Sequence, residues 1–324
     1  MLKQKILLAL ERNIGEVVTG GQLALSLGVT RNSIWKSVRS LQSQGAQIVS
    51  IPNVGYKLLD TSDTLSLERI SSHLRTCSMG RSMEILPVVH STNQYLKELA
   101  QAAGVDGHTV IANEQTHGRG RRGREFRSPR DEGVYMSVLL KYGAHRPQDL
   151  RLLTIAAAVA ASRAIEEQSP VKADIKWVND IYAGGKKLCG ILTEAVYSAE
   201  LGEVDSVIVG FGINTGAVPY ELRDYATSIC ELTGKRGVRN PLIGELLNQF
   251  ETVYGALAEG RTREIIAEYD RRMFIKGQTI TVCAAEGDYS AKAIGIANSG
   301  ALIVESTSGD IRHISTGEIK LKRG

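Results

Sequence analysis

The chain has 324 residues, 43% of them hydrophobic and 23% charged, with a formal net charge of +4. That length predicts two or three domains, and an ordinary charge content without any repeat excludes collagen, coiled-coil and disordered classes. The charge is uneven: residues 1–60 carry Lys3, Lys5, Arg12, Arg31, Lys36, Arg39 and Lys57 against Glu11, Glu16 and Asp60, and arginines cluster again over 119–130, which points to two anionic partners.

Leu2, Ile6, Leu7 and Leu10 recur at helical spacing and predict a first helix ending near Asn13. Thr19 is placed to cap a second helix, with Leu23, Leu25 and Leu27 as its apolar positions. Gly28-Val29-Thr30 turns into a third helix capped by Thr30. Ile34, Val38 and Leu41 face inward there, and Arg31, Asn32, Ser33, Lys36, Ser37 and Arg39 face outward. Strand-like stretches at 47–51 and 56–59, separated by Pro52-Asn53-Val54-Gly55, complete a winged helix-turn-helix pattern. Its third helix offers short polar and basic side chains to base edges in a major groove, with Lys57 on the wing for phosphates. The DNA-binding candidates are therefore Thr30, Arg31, Asn32, Ser33, Lys36, Arg39 and Lys57. The plainer alternative is a small protein-interaction domain with a solvated basic face. A polar linker over 60–64 marks a domain boundary, and a short helix capped by Ser66 follows over 65–74.

A strand over 83–89 gives way to a helix from about Asn93, and strands at 108–113 and 134–140 flank Gly118-Arg119-Gly120-Arg121-Arg122-Gly123. This is a literal G-x-G-x-x-G, but a dinucleotide fingerprint needs a helix directly after it and an acid about 20 residues on. Arg124-Glu125-Phe126-Arg127-Ser128-Pro129 has no helical period, and no acid lies between Gly133 and Gln148. There is no P-loop either. The glycines make the loop flexible, and its forked guanidinium donors suit carboxylates and phosphates. It reads as an internal lid ordered by an anion, with a solvated loop and a nucleic-acid tail as alternatives; the flanking strands favour the lid.

The apolar run over 152–161 is too short for a membrane span and reads as a core helix. Strands follow at 174–177 and 207–212, with a turn at Ala183-Gly184-Gly185. Stretches at 277–282 and 301–304 are β-type, with Asn298-Ser299-Gly300 as a turn. The short apolar run over 6–10 ends at Glu11 and Arg12 and does not read as a secretory signal. Cys77, Cys189, Cys230 and Cys283 form no C-x-x-C pair, which predicts reduced thiols, a cytoplasmic protein and no zinc site.

Several motifs occur in order: His90-Ser91-Thr92-Asn93-Gln94, Gln115 with the Gly-Arg loop, and Lys176-Trp177-Val178-Asn179-Asp180. Lys187-Leu188-Cys189-Gly190-Ile191-Leu192-Thr193-Glu194, Gly210-Phe211-Gly212-Ile213-Asn214 and Gly317-Glu318-Ile319-Lys320-Leu321 follow. With the helix-turn-helix, they resemble the bifunctional biotin protein ligases and biotin operon repressors of bacteria along essentially the whole chain. The resemblance implies an α+β fold in three parts. These are a winged helix-turn-helix over 1–62, a central mixed-sheet α/β ligase domain related to class II synthetase-like folds over 63–272, and a small SH3-like β barrel over 273–324. It implies an ATP-dependent biotin–[biotin carboxyl carrier protein] ligase that forms biotinoyl-5′-AMP and passes biotin to a carrier lysine. The implied partners are that carrier (an acetyl-CoA carboxylase subunit) and operator DNA, bound by an adenylate-loaded homodimer that represses biotin-synthesis genes. No membrane is implied. Biotin and ATP would be substrates, with Mg²⁺ on the leaving pyrophosphate.

By the same resemblance, Ser91, Thr92, Asn93, Gln115, Arg119, Gly120, Arg121 and Lys187 would bind biotin. Arg121, Arg122, Arg124, Phe126, Asn179 and Asn214 would bind ATP or the adenylate. Lys187, Arg119 and Asp180 would be catalytic, Lys187 stabilising the pentacoordinate transition state and Asp180 holding Mg²⁺ or orienting Lys187. Outside the family frame, Ser91 or Thr92 reads as a helix cap and Lys187 as a solvated hairpin lysine. Three positions depart from the family pattern. Phe126 stands where members usually carry Trp, keeping a ring for adenine but no indole donor. Val178 replaces a usual Pro, and Cys189 a usual Ala. A ligand-sensing regulator without catalysis, and an adenylating ligase for lipoate or a similar acid, stay open as other classes.

Overall fold

The computed structural model describes residues 2–43, 46–59, 63–103, 105–141, 147–197, 203–284 and 287–321. The expected linker lies outside the described residues as far as Ser62.

The first unit comprises α1 (Leu2–Glu11), β1 (Val17–Val18), α2 (Gly20–Leu27), α3 (Arg31–Ser43), β2 (Ile48–Ile51) and β3 (Gly55–Leu58). Thr19 and Gln22 form a capping box at the start of α2, and Gly28 closes it in the left-handed conformation. Thr30 Oγ1 accepts from the Ser33 amide at 3.2 Å, starting α3. Ile6, Leu10, Leu23, Ile34, Val38, Leu41, Ile48 and Leu58 make a small separate core. The expected winged helix-turn-helix is present, with one strand more than expected: β1 pairs with β3. Leu25 is a correction. It is 87% exposed, whereas Leu23 is buried. Residues two apart point to opposite sides of a helix, so Leu23 and Leu25 cannot share its inward face.

The central unit begins with α4 (Leu67–His73), β4 (Met83–Leu86), α5 (Thr92–Ala103), β5 (Thr109–Ala112), β6 (Gly133–Lys141) and α6 (Pro147–Gln168). It continues with β7 (Asp174–Lys176), β8 (Asp180–Ala183), β9 (Lys186–Tyr197), β10 (Val204–Asn214), α7 (Ile229–Thr233), α8 (Arg239–Ala258) and α9 (Thr262–Arg272). Seven strands form one mixed sheet in the order β4-β5-β6-β10-β9-β8-β7, parallel only between β4 and β5. Gly184 and Gly185, at φ 56° and 78°, make the two-residue turn between β8 and β9.

Side chains alternate across this sheet. Val134, Met136, Val138, Val207, Val209, Phe211, Cys189 and Ile191 belong to the main core with α6 and α8. On the other face, Leu139, Ile208, Val110 and Val196 pack under Leu96 and Ala100 of α5. That same face carries Ser137 and Gly210 beneath the first residues of α5, and Gly190 and Gly212 beyond them. An open shelf floored by glycine results.

The expected C-terminal barrel takes the form of a five-stranded antiparallel sheet ordered β14-β13-β12-β11-β15. Its strands are β11 (Thr279–Ala284), β12 (Gly287–Ile296), β13 (Leu302–Ser306), β14 (Ile311–Ile314) and β15 (Glu318–Leu321). Its inner residues Ile280, Val282, Leu302 and Val304 join the main core. All four cysteines are unpaired. No helix among the described residues is long and apolar enough to cross a membrane.

Candidate active site

Ser91, Thr92 and Asn93 open α5 beside the shelf and are 2%, 3% and 4% exposed. The Thr92 amide donates to Gln115 Oε1 at 2.9 Å, and the Thr92 hydroxyl lies 3.1 Å from the same oxygen. The hydroxyl therefore faces a side-chain partner rather than serving only as a cap. Gln115 Nε2 donates to Ser128 Oγ at 2.8 Å.

Between Gln115 and Ser128 the Gly-Arg loop folds as a hairpin. The Phe126 amide donates to the Gly118 carbonyl at 2.8 Å, and the Gly120 amide to the Arg124 carbonyl at 2.7 Å. Its tip is a short 3₁₀ turn with Arg122 at φ 55°. The loop is thus internal to the folded chain rather than a tail, and carries no helix of the dinucleotide kind. Arg119 reaches Gln94 Oε1 at 3.4 Å, and Arg121 reaches Asn179 Oδ1 at 3.4 Å. Burial pushes the Arg121 guanidinium below its ordinary value, with Asp180 opposing. Arg124 forms a forked ion pair with Glu318 of β15, at 2.5 Å.

The Phe126 ring lies flat against the floor. A Cβ on Gly212 would sit 2.4 Å from its Cε1, and one on Gly190 would sit 3.2 Å from its Cε2. Gly190 and Gly212 face each other across β9 and β10; a side chain at Gly212 would displace the ring, and one at Gly190 would press on its edge. Lys187 Nζ stands 5.9 Å from the ring centroid and 2.7 Å from Asp180 Oδ1. Lys187 is two-thirds buried, on β9 and tied by its backbone to Tyr225 and Thr227. It is not a solvated hairpin lysine.

The cavity is open at its mouth and encloses about 1000 Å³ of space, the solvent at that mouth included. Every expected biotin and nucleotide residue lines it except Asn214. The amide of Asn214 donates to the Thr227 carbonyl at 3.0 Å, off the cavity. Arg119, Arg121, Arg122, Arg124, Lys176 and Lys187 outnumber Asp180, Glu125 and Glu318 on its walls, so it favours an anionic ligand. Lys176 went unsingled in the sequence; burial lowers its ammonium below the ordinary value, with Asp180 opposing. Gly317, Glu318 and Ile319 also line the cavity, so the C-terminal sheet supplies part of the wall. Among the described residues no cluster of three or more His, Cys, Asp or Glu could hold a metal. Asp180 is the carboxylate nearest Lys187.

Arg31, Asn32, Lys36 and Arg39, none of which lines this cavity, lie on the exposed face of α3. Arg39 stacks on Trp35, which is 46% exposed and which sequence reading passed over as a surface residue. Ser33 Oγ is bonded to Thr30 Oγ1 at 2.9 Å. Lys57 is half-buried on the wing, between Val17 and Val49.

Residues 85–214 match the biotin/lipoate A/B protein ligase family, residues 3–57 an HTH domain, and residues 276–322 the biotin protein ligase C-terminal domain. The bifunctional ligase/repressor BirA of Bacillus subtilis is 34% identical over 94% of this chain and 94% of its own length. The chain belongs to the bifunctional biotin ligase/repressor family. Another ligase/repressor BirA, from Escherichia coli, is 27% identical over 98% of this chain and 96% of its own length. Among solved structures similar to this family member is the biotin protein ligase of Aquifex aeolicus in complex with biotin and ATP. It has a TM-score of 0.66 and 30% identity, and the match covers 75% of this chain and 100% of that one.

Proposed function

We propose that the chain is a cytoplasmic, ATP-dependent biotin–[biotin carboxyl carrier protein] ligase and a biotinoyl-AMP-dependent repressor of biotin-synthesis genes. The observation that carries the ligase half is the Lys187–Asp180 pair at 2.7 Å, lining one cavity with the arginine hairpin and the Thr92–Gln115 group. A biotin head held by Ser91, Thr92, Asn93 and Gln115 leaves its carboxylate tail toward Arg119, Gly120, Arg121 and Lys187. The carboxylate oxygen attacks the α-phosphorus of ATP, and the bond to the pyrophosphate oxygen breaks. Lys187, oriented by Asp180, and Arg119 neutralise charge that grows on the α-phosphate oxygens. Arg121, Arg122, Arg124 and Asn179 surround the nucleotide, and Phe126 supplies the ring face for adenine. The carrier lysine then attacks the acyl carbon, the acyl–phosphate bond breaks, AMP leaves and the amine loses its proton.

Among the described residues no cluster of carboxylates could hold a metal by itself, so a magnesium ion would be held mainly by the substrate's phosphates, with Asp180 as the one protein carboxylate if it is not spent on orienting Lys187. Such an ion would neutralise the leaving pyrophosphate. The exposed polar and basic face of α3, with Lys57, supports the repressor half. Two copies would read two half-sites of an operator.

Biotin-dependent ATP–pyrophosphate exchange tests the ligase half. Lys187→Ala is expected to lower exchange about 10²–10³-fold, and Arg119→Ala to lower it as well. Exchange supported by lipoate in place of biotin would move the reading to the other acid that the matched family includes. Exchange with neither acid would leave a sensor without catalysis.

A further inference from the structure

Three cavity-lining side chains, Lys176, Asn179 and Asp180, come from one hairpin, in which Lys176 of β7 and Asp180 of β8 form the closing pair. Trp177, Val178 and Asn179 make its turn. Asn179 is tied forward to β9: its side-chain nitrogen donates to the Ile191 carbonyl at 2.7 Å, and its carbonyl receives the Ile191 amide at 2.9 Å. Two further bonds hold the turn from behind. Trp177 Nε1 donates to the Gly300 carbonyl at 3.1 Å, and the hydroxyl of Tyr269 on α9 donates to the Val178 carbonyl at 3.1 Å. Tyr269 is fully buried. Burial pushes its hydroxyl well above the ordinary titration range, with Asp180 adding and Arg121 opposing, so it stays a donor at neutral pH.

Tyr269 is itself held in place. Its neighbour Glu268 receives Arg163 Nε of α6 at 3.0 Å, and Arg272 Nη1 donates to Glu166 of α6 at 2.8 Å. Past α9, the Phe274 amide donates to the Ile175 carbonyl of β7 at 3.3 Å. The helix is thus clamped on one side to α6 and on the other to the hairpin that carries Asp180. No motif marks Tyr269, which lies between the matched stretches 85–214 and 276–322.

We propose that Tyr269 is a positioning residue: by holding the Val178 carbonyl it fixes the turn over 177–179, and so sets Asp180 against Lys187. The kinetic consequence rests on the ligase reading above. A buried carbonyl that loses its donor moves to find another, and a shift of about 1 Å in a supporting group costs a rate up to about 10²-fold.

The first measurement needs no activity. Lys187 is two-thirds buried and paired with Asp180, so acetic anhydride reaches its amine when that pair opens. Acetylation of the whole chain is followed by mass spectrometry, with the exposed Lys292 as reference. Tyr269→Phe, which keeps the ring and removes the donor, is expected to speed Lys187 acetylation at least about twofold, toward the rate in Asp180→Asn. In pyrophosphate exchange it is expected to lower kcat about tenfold. The KM for biotin should stay within about twofold, because Thr92 and Gln115 stand on other elements. Added to Asp180→Asn, the same change is expected to cost less than about twofold in kcat, since the group it positions is already altered. A wild-type Lys187 rate in Tyr269→Phe overturns the role, and so does a tenfold loss repeated in full on Asp180→Asn. Should Tyr269→Phe not fold, Glu166→Gln loosens the Arg272 clamp while keeping its acceptor for the Ala173 amide, and an unchanged Lys187 rate there overturns the role. Wild type without exchange overturns the ligase reading, while the Lys187 rates still decide whether Tyr269 sets the pair.

Discussion

Gly210 sits where a single added carbon would strike Asn93. Its Cβ would fall 2.1 Å from Asn93 Oδ1 and 3.0 Å from Cγ. Asn93 cannot retreat, because Ser137 and Glu194 hold both ends of its amide. Gly210→Ala is therefore expected to cost about 1–3 kcal/mol of stability, as overpacking does, and to raise the KM for biotin by turning the Asn93 amide. Thermal melting and exchange kinetics check this, and a variant with an unchanged KM contradicts the placement. The residues legible in the sequence were those with recognisable neighbours, such as Ser91-Thr92-Asn93 and the arginine loop. Ser137 and Glu194 were not singled out, because a lone polar residue in a strand has no spacing to mark it. The glycines of Gly210-Phe211-Gly212 carried a signal, since alternate glycines in a strand announce a close approach. Asn214 shared that motif yet turned to Thr227, because the last residue of a strand is free to bond the next loop.

At the scale of elements, the helices of the first unit followed from caps and periodicity, while the two-residue β1 carried too little pattern to be read. The contact of α1 with α4 was also invisible to local rules. Glu11, at the end of α1, accepts from Ser66 Oγ at 2.7 Å, and its other oxygen is buried without a hydrogen bond. Burial raises the Glu11 carboxyl above its ordinary 4.5, more than Ser66 and Arg69 lower it. With the folded value above the unfolded one, this site's stability is full below the unfolded value and is lost as pH rises through the folded value. Glu11→Gln keeps the acceptor and removes the buried charge. It is expected to melt higher than wild type near pH 7, by about 1–3 °C, with the gap closing towards pH 4. A lower melting point at neutral pH would show that Arg69 outweighs burial.

The exposed face of α3 supports a different prediction. On this face we expect Lys36 to meet a phosphate and Asn32 a base edge. Lys36→Ala should weaken binding to all DNA sequences alike and lower the salt slope by about 1, whereas Asn32→Ala should cost about 1–3 kcal/mol on the operator alone. Equal losses on operator and random DNA for both variants would remove the base-reading role.

Across the whole molecule, the two cores are separate, so their attachment depends on polar groups near residue 63. Arg239, at the start of α8, is 1% exposed. Its backbone amide donates to Asp63 Oδ1 at 2.9 Å, its Nη2 donates to the Asp63 carbonyl, and its Nε lies 3.4 Å from Asp63 Oδ2. Its second carboxylate partner is Asp131, at 3.0 Å from Nη2, just beyond the arginine hairpin. The two carboxylates are not equivalent. Asp63 is 22% exposed and meets Arg239 through side chain and backbone, while Asp131 is 47% exposed and makes one contact. A guanidinium this deeply buried is strongly destabilising once its main counter-charge is gone. Asp63→Ala is accordingly expected to lower unfolding free energy by about 3 kcal/mol. Asp131→Asn should cost only about 1 kcal/mol, because Asn tolerates the φ of 62° that Asp131 adopts. Denaturant unfolding of the two variants separates the cases. If Asp63→Ala costs no more than Asp131→Asn, then Arg239 draws its compensation from elsewhere, and Asp63 is not what ties the DNA-binding unit's linker to the catalytic core.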